Sequence, residues 1–226
     1  MADIHANLEA LQAVLENAKQ QMCTHCAFLG DFVGYCADPK ACVDIVRAMN
    51  APCVKGNHDE YCATDAPLSG FNPKAAQAVD WTRKQLTADD HQWLGNLPYV
   101  QQVENFTLVH ATLDGPQRWG YVFDRLAADS NFAYQNTNLC FFGHTHVPVA
   151  FVRDTMVRGG TYTKLRIEPG KKYFINTGAV GQPRDNNPKA AYATYNVNEG
   201  VVELHRVPYD IATTQKKIRD AGIPGR

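Results

Sequence analysis

The sequence predicts an α/β fold of two mixed sheets flanked by helices, and three observations predict it. Amphipathic helices alternate with short apolar strands over roughly the first sixty residues, the order typical of a parallel sheet. From Val147 onward, short β-type runs separated by Gly, Asn and Pro turns indicate a second, mostly antiparallel sheet. The 226 residues are 45% hydrophobic and contain no Ser/Gly linker, so we expect residues 1–226 to fold as a single domain.

The first half begins with a helix, because Leu8, Leu11 and Val14 recur at helical spacing between polar residues. Short apolar runs that end in glycine and a polar side chain predict strands, whereas apolar residues spaced by three or four predict further helices. The predicted order is helix, strand, helix, strand and a longer helical stretch, over residues 7–18, 27–29, 40–49, 51–54 and 74–94.

The second half is predicted to be rich in strands. Phe106–Val109 ends at His110, and Leu139–Phe142 ends at Gly143 and His144. Further β-type runs follow at 150–152, 173–175, 191–197 and Val201–Val207. Because sites in α/β sheets lie beyond the carboxyl ends of the strands, we expect the polar residues that follow these strands to gather there.

Charge and hydropathy argue against several classes of function. Lys and Arg number 22 against 23 Asp and Glu, a net charge of -1, so the chain lacks the basic surface of most nucleic-acid-binding proteins. No apolar run approaches the roughly 18 residues of a membrane span, and the first residues lack the pattern of a secretory signal. We expect a cytoplasmic protein without membrane or nucleic-acid partners. The sequence leaves the oligomeric state open.

Seven cysteines, an odd number scattered along the chain, favour reduced thiols over a disulfide framework. Cys23 and Cys26 have CxxC spacing, which is found in redox pairs and in half-sites for zinc. No second CxxC follows, so the favoured interpretation is that the pair is structural.

Five predicted strand ends carry side chains of the kind that bind metals. The segments are Asp3-Ile4-His5, Gly30-Asp31, Gly56-Asn57-His58-Asp59, Val109-His110 and Gly143-His144-Thr145-His146. Carboxylate, imidazole and amide oxygen together suit Mn, Fe, Co, Ni or Zn better than calcium. Alternate residues of an extended segment point the same way, so Asp3 with His5, and His144 with His146, would each present two ligands to one side.

In this order, the five segments resemble the calcineurin-like metallophosphoesterase superfamily, whose pattern is DxH, GD, GNH[DE], an isolated His and GHxH. Residues 3–11 and 176–184 are also similar to the small bacterial and archaeal branch of that superfamily, which includes YfcE-like, MJ0936-like and diadenosine tetraphosphatase-like phosphodiesterases. The resemblance implies a four-layer α/β/β/α sandwich and a metal-dependent phosphoric ester hydrolase.

The resemblance also implies a site for two divalent metal ions. Asp3, His5 and His146 would hold the first ion, Asn57, His110 and His144 the second, and Asp31 would bridge both. Such a pair of cations would clamp a phosphate and lower the pKa of a bridging water, and the hydroxide so formed would attack phosphorus. The implied substrate is a small phosphodiester or dinucleoside polyphosphate, with phosphomonoesters and phosphoproteins as alternatives.

The resemblance makes His58 the general acid that protonates the leaving alkoxide, with Asp59 orienting the imidazole; a structural histidine is the alternative. Arg184 would bind a phosphate oxygen through its planar guanidinium, or lie at the surface. Segment 114–121 offers Arg118 and aromatic rings, which would suit a nucleobase or aryl-ester pocket, or would form a packed loop.

One departure from the family bears on the first ligand. The family places a buried strand of about five residues before this Asp, whereas Met1 and Ala2 alone precede Asp3 here. We therefore expect a truncated first strand, from a misassigned start or a real loss, and a poorly held Asp3. The truncation keeps open a catalytically impaired metal-binding scaffold, and Cys23 with Cys26 keeps open a zinc or redox protein.

Overall fold

Seven α-helices and nine strands are found in the computed structural model, which describes residues 1–69 and 72–224. The helices are α1 (Leu8–Gln20), α2 (Pro39–Ala48), α3 (Asn57–Ala63), α4 (Pro73–Arg83), α5 (Ala88–Asn96), α6 (Arg125–Phe132) and α7 (Ile211–Asp220). The strands are β1 (Val100–Val103), β2 (Phe106–Val109), β3 (Leu139–Phe142), β4 (Val149–Arg153), β5 (Val157–Gly160), β6 (Lys164–Arg166), β7 (Lys172–Asn176), β8 (Ala190–Asn196) and β9 (Val201–Val207). None of the described helices is long and apolar enough to cross a membrane.

Several helices begin at capping residues. The side chain of Asn7 accepts a hydrogen bond from the Ala10 N–H at the start of α1. Thr87 and Asp90 form a reciprocal capping box at the start of α5. Because Thr87 starts a new helix, the predicted helical stretch 74–94 is divided into α4 and α5.

The larger sheet has six strands in the order β1-β2-β3-β7-β4-β5. Strands β2, β3 and β7 run parallel, and the other pairs are antiparallel, so the sheet is mixed. The parallel direction of β2 and β3 brings the residues that follow them together, and the Gly143 N–H donates to the His110 carbonyl at 2.9 Å.

The smaller sheet is antiparallel, with the order β6-β9-β8. Beyond β8, backbone hydrogen bonds continue in turn to segments 178–181, 1–3, 27–30 and 52–54. The Val180 N–H donates to the Ala2 carbonyl at 2.9 Å, and the Leu29 N–H donates to the Met1 carbonyl at 2.8 Å. The first residues therefore lie between two hydrogen-bonded neighbours.

Alternate residues of the central strands face different cores. Phe141 and Ile175 pack with Val202 between the two sheets, whereas Phe142 and Phe174 pack with residues of α6. A third core joins α1 and α2 to the smaller sheet. The layers are therefore helices, smaller sheet, larger sheet and helix, and the prediction of an α/β fold with two sheets flanked by helices is confirmed.

The assignment of strands to sheets differs from the prediction in one respect. The β-type runs after Val147 do not form one sheet, because β4, β5 and β7 join β2 and β3, whereas β6, β8 and β9 form the smaller sheet. Apolar patterning shows that a strand is buried, but it carries no information on which neighbour the strand pairs with.

The expectation of a poorly held Asp3 is wrong. The Asp3 side chain is fully buried. Its N–H donates to the Gly30 carbonyl at 3.1 Å, and its carbonyl accepts from the Gly181 N–H at 2.8 Å. Hydrogen bonds on both sides thus fix the backbone of this residue as firmly as that of an inner strand.

Candidate metal centre

Six acidic and histidine side chains converge where the parallel strands and the extended segments end. Each is no more than 5% exposed, and they are Asp3, His5, Asp31, His110, His144 and His146. With Asn57, the first residue of α3, we call these seven residues the ligand cluster. The gathering of polar side chains predicted from the strand ends is found in the structure.

The backbone of the ligand cluster is strained. Five of its residues have φ between 48° and 66°, in the left-handed region, and they are Asp3, His5, Asp31, His144 and His146. Such a conformation costs a residue other than glycine about 1–3 kcal/mol and persists where the surrounding structure fixes it. The strain is concentrated where polar side chains are aimed at one another, as is typical of functional sites.

One group of ligand atoms comprises Asp3, His5, Asp31 and His146, with one atom of each lying within 4.8 Å of the others. His5 Nε2 lies 3.0 Å from His146 Nε2 and 3.5 Å from Asp31 Oδ2. His146 Nε2 lies 3.5 Å from Asp3 Oδ1. Two carboxylates and two imidazoles are thus directed at one point.

A second group comprises Asp31, His110 and His144. His110 Nε2 lies 3.4 Å from Asp31 Oδ2 and 3.2 Å from His144 Nδ1. The Asn57 Oδ1 lies 3.3 Å from the same His110 nitrogen. Asp31 therefore belongs to both groups, and its Oδ2 lies between them.

Backbone carbonyls hold all four imidazoles from behind. The ring nitrogens that face away from the cluster contact the carbonyls of Val33 (3.1 Å from His5), Leu29 (2.6 Å from His110), Trp119 (3.0 Å from His144) and Gln182 (2.6 Å from His146). Because a carbonyl only accepts, it fixes the N–H on the rear nitrogen of a neutral ring and leaves a lone pair on the front one.

This donor set fits a cation. In neutral rings so fixed, the front nitrogens of His5 and His146 are both acceptors, yet they lie 3.0 Å apart. Two lone pairs at that distance repel unless a positive charge lies beside them. Imidazole, carboxylate and amide oxygen are the ligands that first-row divalent metals accept.

Burial controls the protonation of the cluster. It lowers the pKa of His5 well below its usual value and lowers the pKa of His144 to about 3, and it raises the pKa of Asp3 to about 7. Burial also lowers the pKa of His110, but the Asp31 and Asp3 carboxylates and the Leu29 carbonyl together outweigh it and raise that pKa to about 9. Neutral imidazole is the form that binds a metal, and a nearby cation favours a buried carboxylate in its ionised form.

A glycine allows the Asp31 carboxylate, which is shared by the two groups, to lie close to the backbone. A Cβ at Gly56 would fall 2.1 Å from Asp31 Oδ1, so a larger residue does not fit there. That oxygen accepts a hydrogen bond from the His58 N–H at 2.8 Å. The backbone thus holds one oxygen of Asp31 and leaves the other for the cluster.

Comparison with known proteins identifies the family. The model of the calcineurin-like phosphoesterase superfamily domain matches residues 1–200. The chain belongs to this superfamily. A crystal structure of a metallophosphoesterase from Sphaerobacter thermophilus is 39% identical, with a TM-score of 0.86 over 99% of this chain and 93% of that one. This superfamily is metal-dependent, and the chain is one of its hydrolases.

Two further proteins are similar to this chain. An uncharacterized protein of Methanocaldococcus jannaschii, MJ0912, is 34% identical over 230 residues, which cover 99% of this chain and 92% of the relative. The hypothetical protein PH1004 from Pyrococcus horikoshii OT3 is 17% identical, with a TM-score of 0.76 over 99% of this phosphoesterase and 92% of that chain, and it shares the fold.

The Asp59 carboxylate of this phosphoesterase accepts hydrogen bonds from three backbone groups. Its Oδ2 accepts from the N–H groups of Asp31 (2.7 Å) and Gly56 (2.9 Å), and its Oδ1 accepts from that of Phe32 (2.8 Å). The carboxylate therefore joins the loop after residue 30 to the start of α3. That it also orients the His58 imidazole stays a prediction.

His58 lies beside the ligand cluster. It is 4% exposed, and its ring centroid is 4.8 Å from that of His5 and 4.5 Å from that of Tyr35. Burial lowers the pKa of His58. Sequence reasoning missed Tyr35, although the aromatic residue directly after Gly34 in the Asp31 loop was a signal that could have found it.

The two predicted substrate-binding arginines differ. Arg184 is half-buried, its N–H donates to the His146 carbonyl at 3.2 Å, and its guanidinium lies 5.8 Å from the centroid of the Tyr35 ring. The Arg118 side chain is 74% exposed and pairs with Asp114 at 3.6 Å. The structure therefore brings Arg184 to the edge of the cluster and leaves Arg118 at the surface.

The cysteine pair takes no part in either group of ligand atoms. Cys23 is exposed and Cys26 is half-buried, and both are free thiols. The two groups found among residues 1–69 and 72–224 contain only aspartate and histidine.

Proposed function

We propose that this phosphoesterase binds two divalent ions and hydrolyses a small phosphodiester or a dinucleoside polyphosphate. One observation carries the proposal, namely that Asp31 Oδ2 lies 3.5 Å from His5 Nε2 and 3.4 Å from His110 Nε2. A carboxylate shared by two sets of ligands is what a two-metal site requires. The preference for diesters follows the sequence resemblance to the small bacterial and archaeal branch.

The proposed ligands follow the two groups. Asp3, His5 and His146 would hold one ion, Asn57, His110 and His144 the other, and Asp31 both. Mn, Fe, Zn, Ni and Co all accept these ligands. When bound, such ions act as Lewis acids toward a phosphate and provide a nucleophile at neutral pH by lowering the pKa of water.

His58 is the proposed general acid. Burial lowers the pKa of His58 in the free protein, and an anionic phosphate beside the ring would favour its protonated form. The imidazolium would then donate its proton to the departing alkoxide oxygen. Support for this role is its place against the His5 ring, at the edge of the cluster.

Arg184 is the proposed phosphate-binding residue. Its guanidinium lies 5.8 Å from the centroid of the Tyr35 ring, which packs against the rings of His5 and His58 beside the cluster. The planar guanidinium can donate to two phosphate oxygens at once.

We also propose that residues 1–226 form one cytoplasmic domain. The family match ends at residue 200, and α7 beyond it packs on α1 through a hydrogen bond from Thr214 Oγ1 to Glu9 Oε2 at 2.8 Å. An ion pair between Lys217 and Asp38 at 2.8 Å joins α7 to the residue before α2.

Hydrolysis of two chromogenic esters tests the proposal. Bis-p-nitrophenyl phosphate and p-nitrophenyl phosphate would be compared with chelator-treated protein and with added Mn, for the unaltered chain and for His58→Ala. His25→Ala is the matched control, since His25 is exposed and contacts its neighbour Thr24. We expect Mn-dependent turnover, faster for the diester, that falls in His58→Ala and persists in His25→Ala.

Two outcomes would overturn parts of this proposal. Faster turnover of the monoester would replace the diesterase by a phosphomonoesterase. Binding of about one equivalent of metal, with no turnover of either ester, would favour the non-catalytic scaffold.

A further inference from the structure

Two exposed aromatic rings lie next to the ligand cluster, on the segment between β2 and α6. Tyr121 is 53% exposed and Phe123 is 63% exposed, while Val122 between them is 1% exposed. This alternation is that of an extended segment, in which every second side chain points the same way. Val122 packs in the core with Val109 and Phe142, so it anchors the segment from below.

The two rings are parallel and form an offset stack. The Tyr121 and Phe123 centroids are 5.4 Å apart, and the ring planes differ by 6°. We call these two residues the aromatic pair. Large apolar rings that are half or more exposed contribute little to a core, so their parallel alignment calls for a different explanation.

The aromatic pair lies directly beside one of the proposed metal ligands, His144. Tyr121 stacks on His144 with a centroid distance of 4.2 Å and an angle of 28°. The Nδ1 of that histidine lies 3.2 Å from His110 Nε2, inside the second ligand group. A phosphate held at the cluster would therefore place one of its ester substituents beside the aromatic pair.

We propose that Tyr121 and Phe123 bind a planar aromatic ring in the substrate, so that this enzyme favours phosphate esters whose alcohol carries such a ring. The inference rests on the proposed function for the position of the phosphate. A nucleobase and a simple aryl group share this chemistry. Aromatic side chains stack on planar rings through dispersion and apolar burial, without requiring a particular hydrogen-bond pattern.

The inference can be tested by comparing the affinities of pairs of ligands that differ only in the aromatic ring. This test does not depend on turnover. Adenosine 5′-monophosphate would be compared with ribose 5-phosphate, and phenyl phosphate with methyl phosphate, by calorimetry on the Mn-loaded protein. We expect at least one ring-bearing ligand to bind about tenfold tighter than its ringless match. A gain confined to adenosine monophosphate identifies a nucleobase, and a gain confined to phenyl phosphate identifies an aryl group.

Three variants distinguish ring stacking from nonspecific effects of a substitution on ligand affinity. Phe123→Leu should reduce the ratio of the two affinities, ringed over ringless, toward one. It removes a ring that stacks on Tyr121 and not on a proposed metal ligand. Tyr121→Phe should retain the gain, since the ring is kept. Tyr134→Leu is the matched control, because Tyr134 is 56% exposed and follows α6 near the amino end of β3, opposite the cluster. Metal content would be measured for every variant.

The outcomes distinguish this inference from the proposed function. Equal affinity for ringed and ringless ligands in the unaltered protein, or an unchanged gain in Phe123→Leu, overturns the inference even where diesters are hydrolysed. A ring-dependent gain without any hydrolysis overturns the proposed function and leaves the aromatic pair as a binding site. Binding of none of the four phosphates overturns both.

Discussion

The ligand cluster and the aromatic pair touch through His144 and Tyr121, yet they are held by different interactions. In the cluster, backbone groups fix both the imidazoles and the carboxylates, and the six acidic and histidine side chains are buried. The aromatic pair depends on one buried residue, Val122, and on ring contacts. The proposed metal site is thus held by backbone contacts in the protein interior, whereas the rings proposed to select the substrate lie at the surface.

The largest expected effect follows from removing the shared charge of the cluster. Asp31→Asn should lower kcat/KM at least about a thousandfold, since it removes several kcal/mol of charge stabilisation in the transition state. Steady-state kinetics and metal analysis on the same preparation would check this. Asp80→Asn is the control, because Asp80 is 58% exposed. A variant with full activity and one metal would show that the two groups of ligands do not act together.

Removing the metal ions should have the second largest effect, a loss of thermal stability. Because buried Asp3 and Asp31 lack a cation in the metal-free protein, added Mn at a hundred times its Kd should stabilise the fold by about 2.7 kcal/mol per site. For a chain of this length, that raises Tm by about 5–10 °C. Thermal unfolding with chelator and with Mn measures the difference. Phe123→Leu should show the same increase in Tm. A smaller increase in this variant would show that the aromatic pair contributes to metal binding.

Replacing Asp59 tests whether the hydrogen bonds beside the ligand cluster stabilise the fold. Asp59→Asn should lower the free energy of unfolding by about 2 kcal/mol, because an amide cannot accept all three backbone hydrogen bonds. Urea unfolding of the metal-free protein is the measurement, with Asp89→Asn at a 72% exposed position as the control. If Asp59→Asn left stability unchanged but shifted the pH–rate profile, the result would support the prediction that Asp59 orients His58.

Arg184 should act on substrate binding. Arg184→Lys is expected to raise KM about tenfold and leave kcat within about threefold, because a lysine keeps the charge but loses the two-pronged contact with phosphate. Initial rates over a range of diester concentrations would measure both constants. A fall in kcat at constant KM would instead place the guanidinium at the transition state.

The smallest effect is expected at Arg118. Because its exposed pair with Asp114 contributes little, Arg118→Ala should change kcat/KM by less than about twofold. The same assay applied to Arg184→Lys supplies the comparison. A tenfold loss in Arg118→Ala would show that the surface loop reaches the substrate.

Prediction from sequence was most successful where side-chain chemistry and strand ends coincide. His110 directly follows an apolar run and His144 follows another after Gly143, so their meeting at the carboxyl ends of parallel strands could be expected. The helix that starts near Leu8 was equally clear from its spacing. In these places a local pattern and the overall fold require the same arrangement.

The remaining features depend on contacts between distant parts of the chain. The carbonyls of Leu29 and Gln182 orient His110 and His146, but every residue has a carbonyl and no side chain marks these two. The hydrogen bonds that hold Asp3 come from Gly30 and Gly181, which sequence order alone does not bring to it.

The dependence of His146 on the Gln182 carbonyl has a consequence for biosynthesis. Asp3 and His5 leave the ribosome well before His146, and the His146 ring that completes their group is not oriented until residue 182 has been made. At about 5–20 residues per second, that takes on the order of ten seconds or more. The group of Asp3, His5, Asp31 and His146 therefore gains its final geometry only after the segment that contains Gln182 has been made.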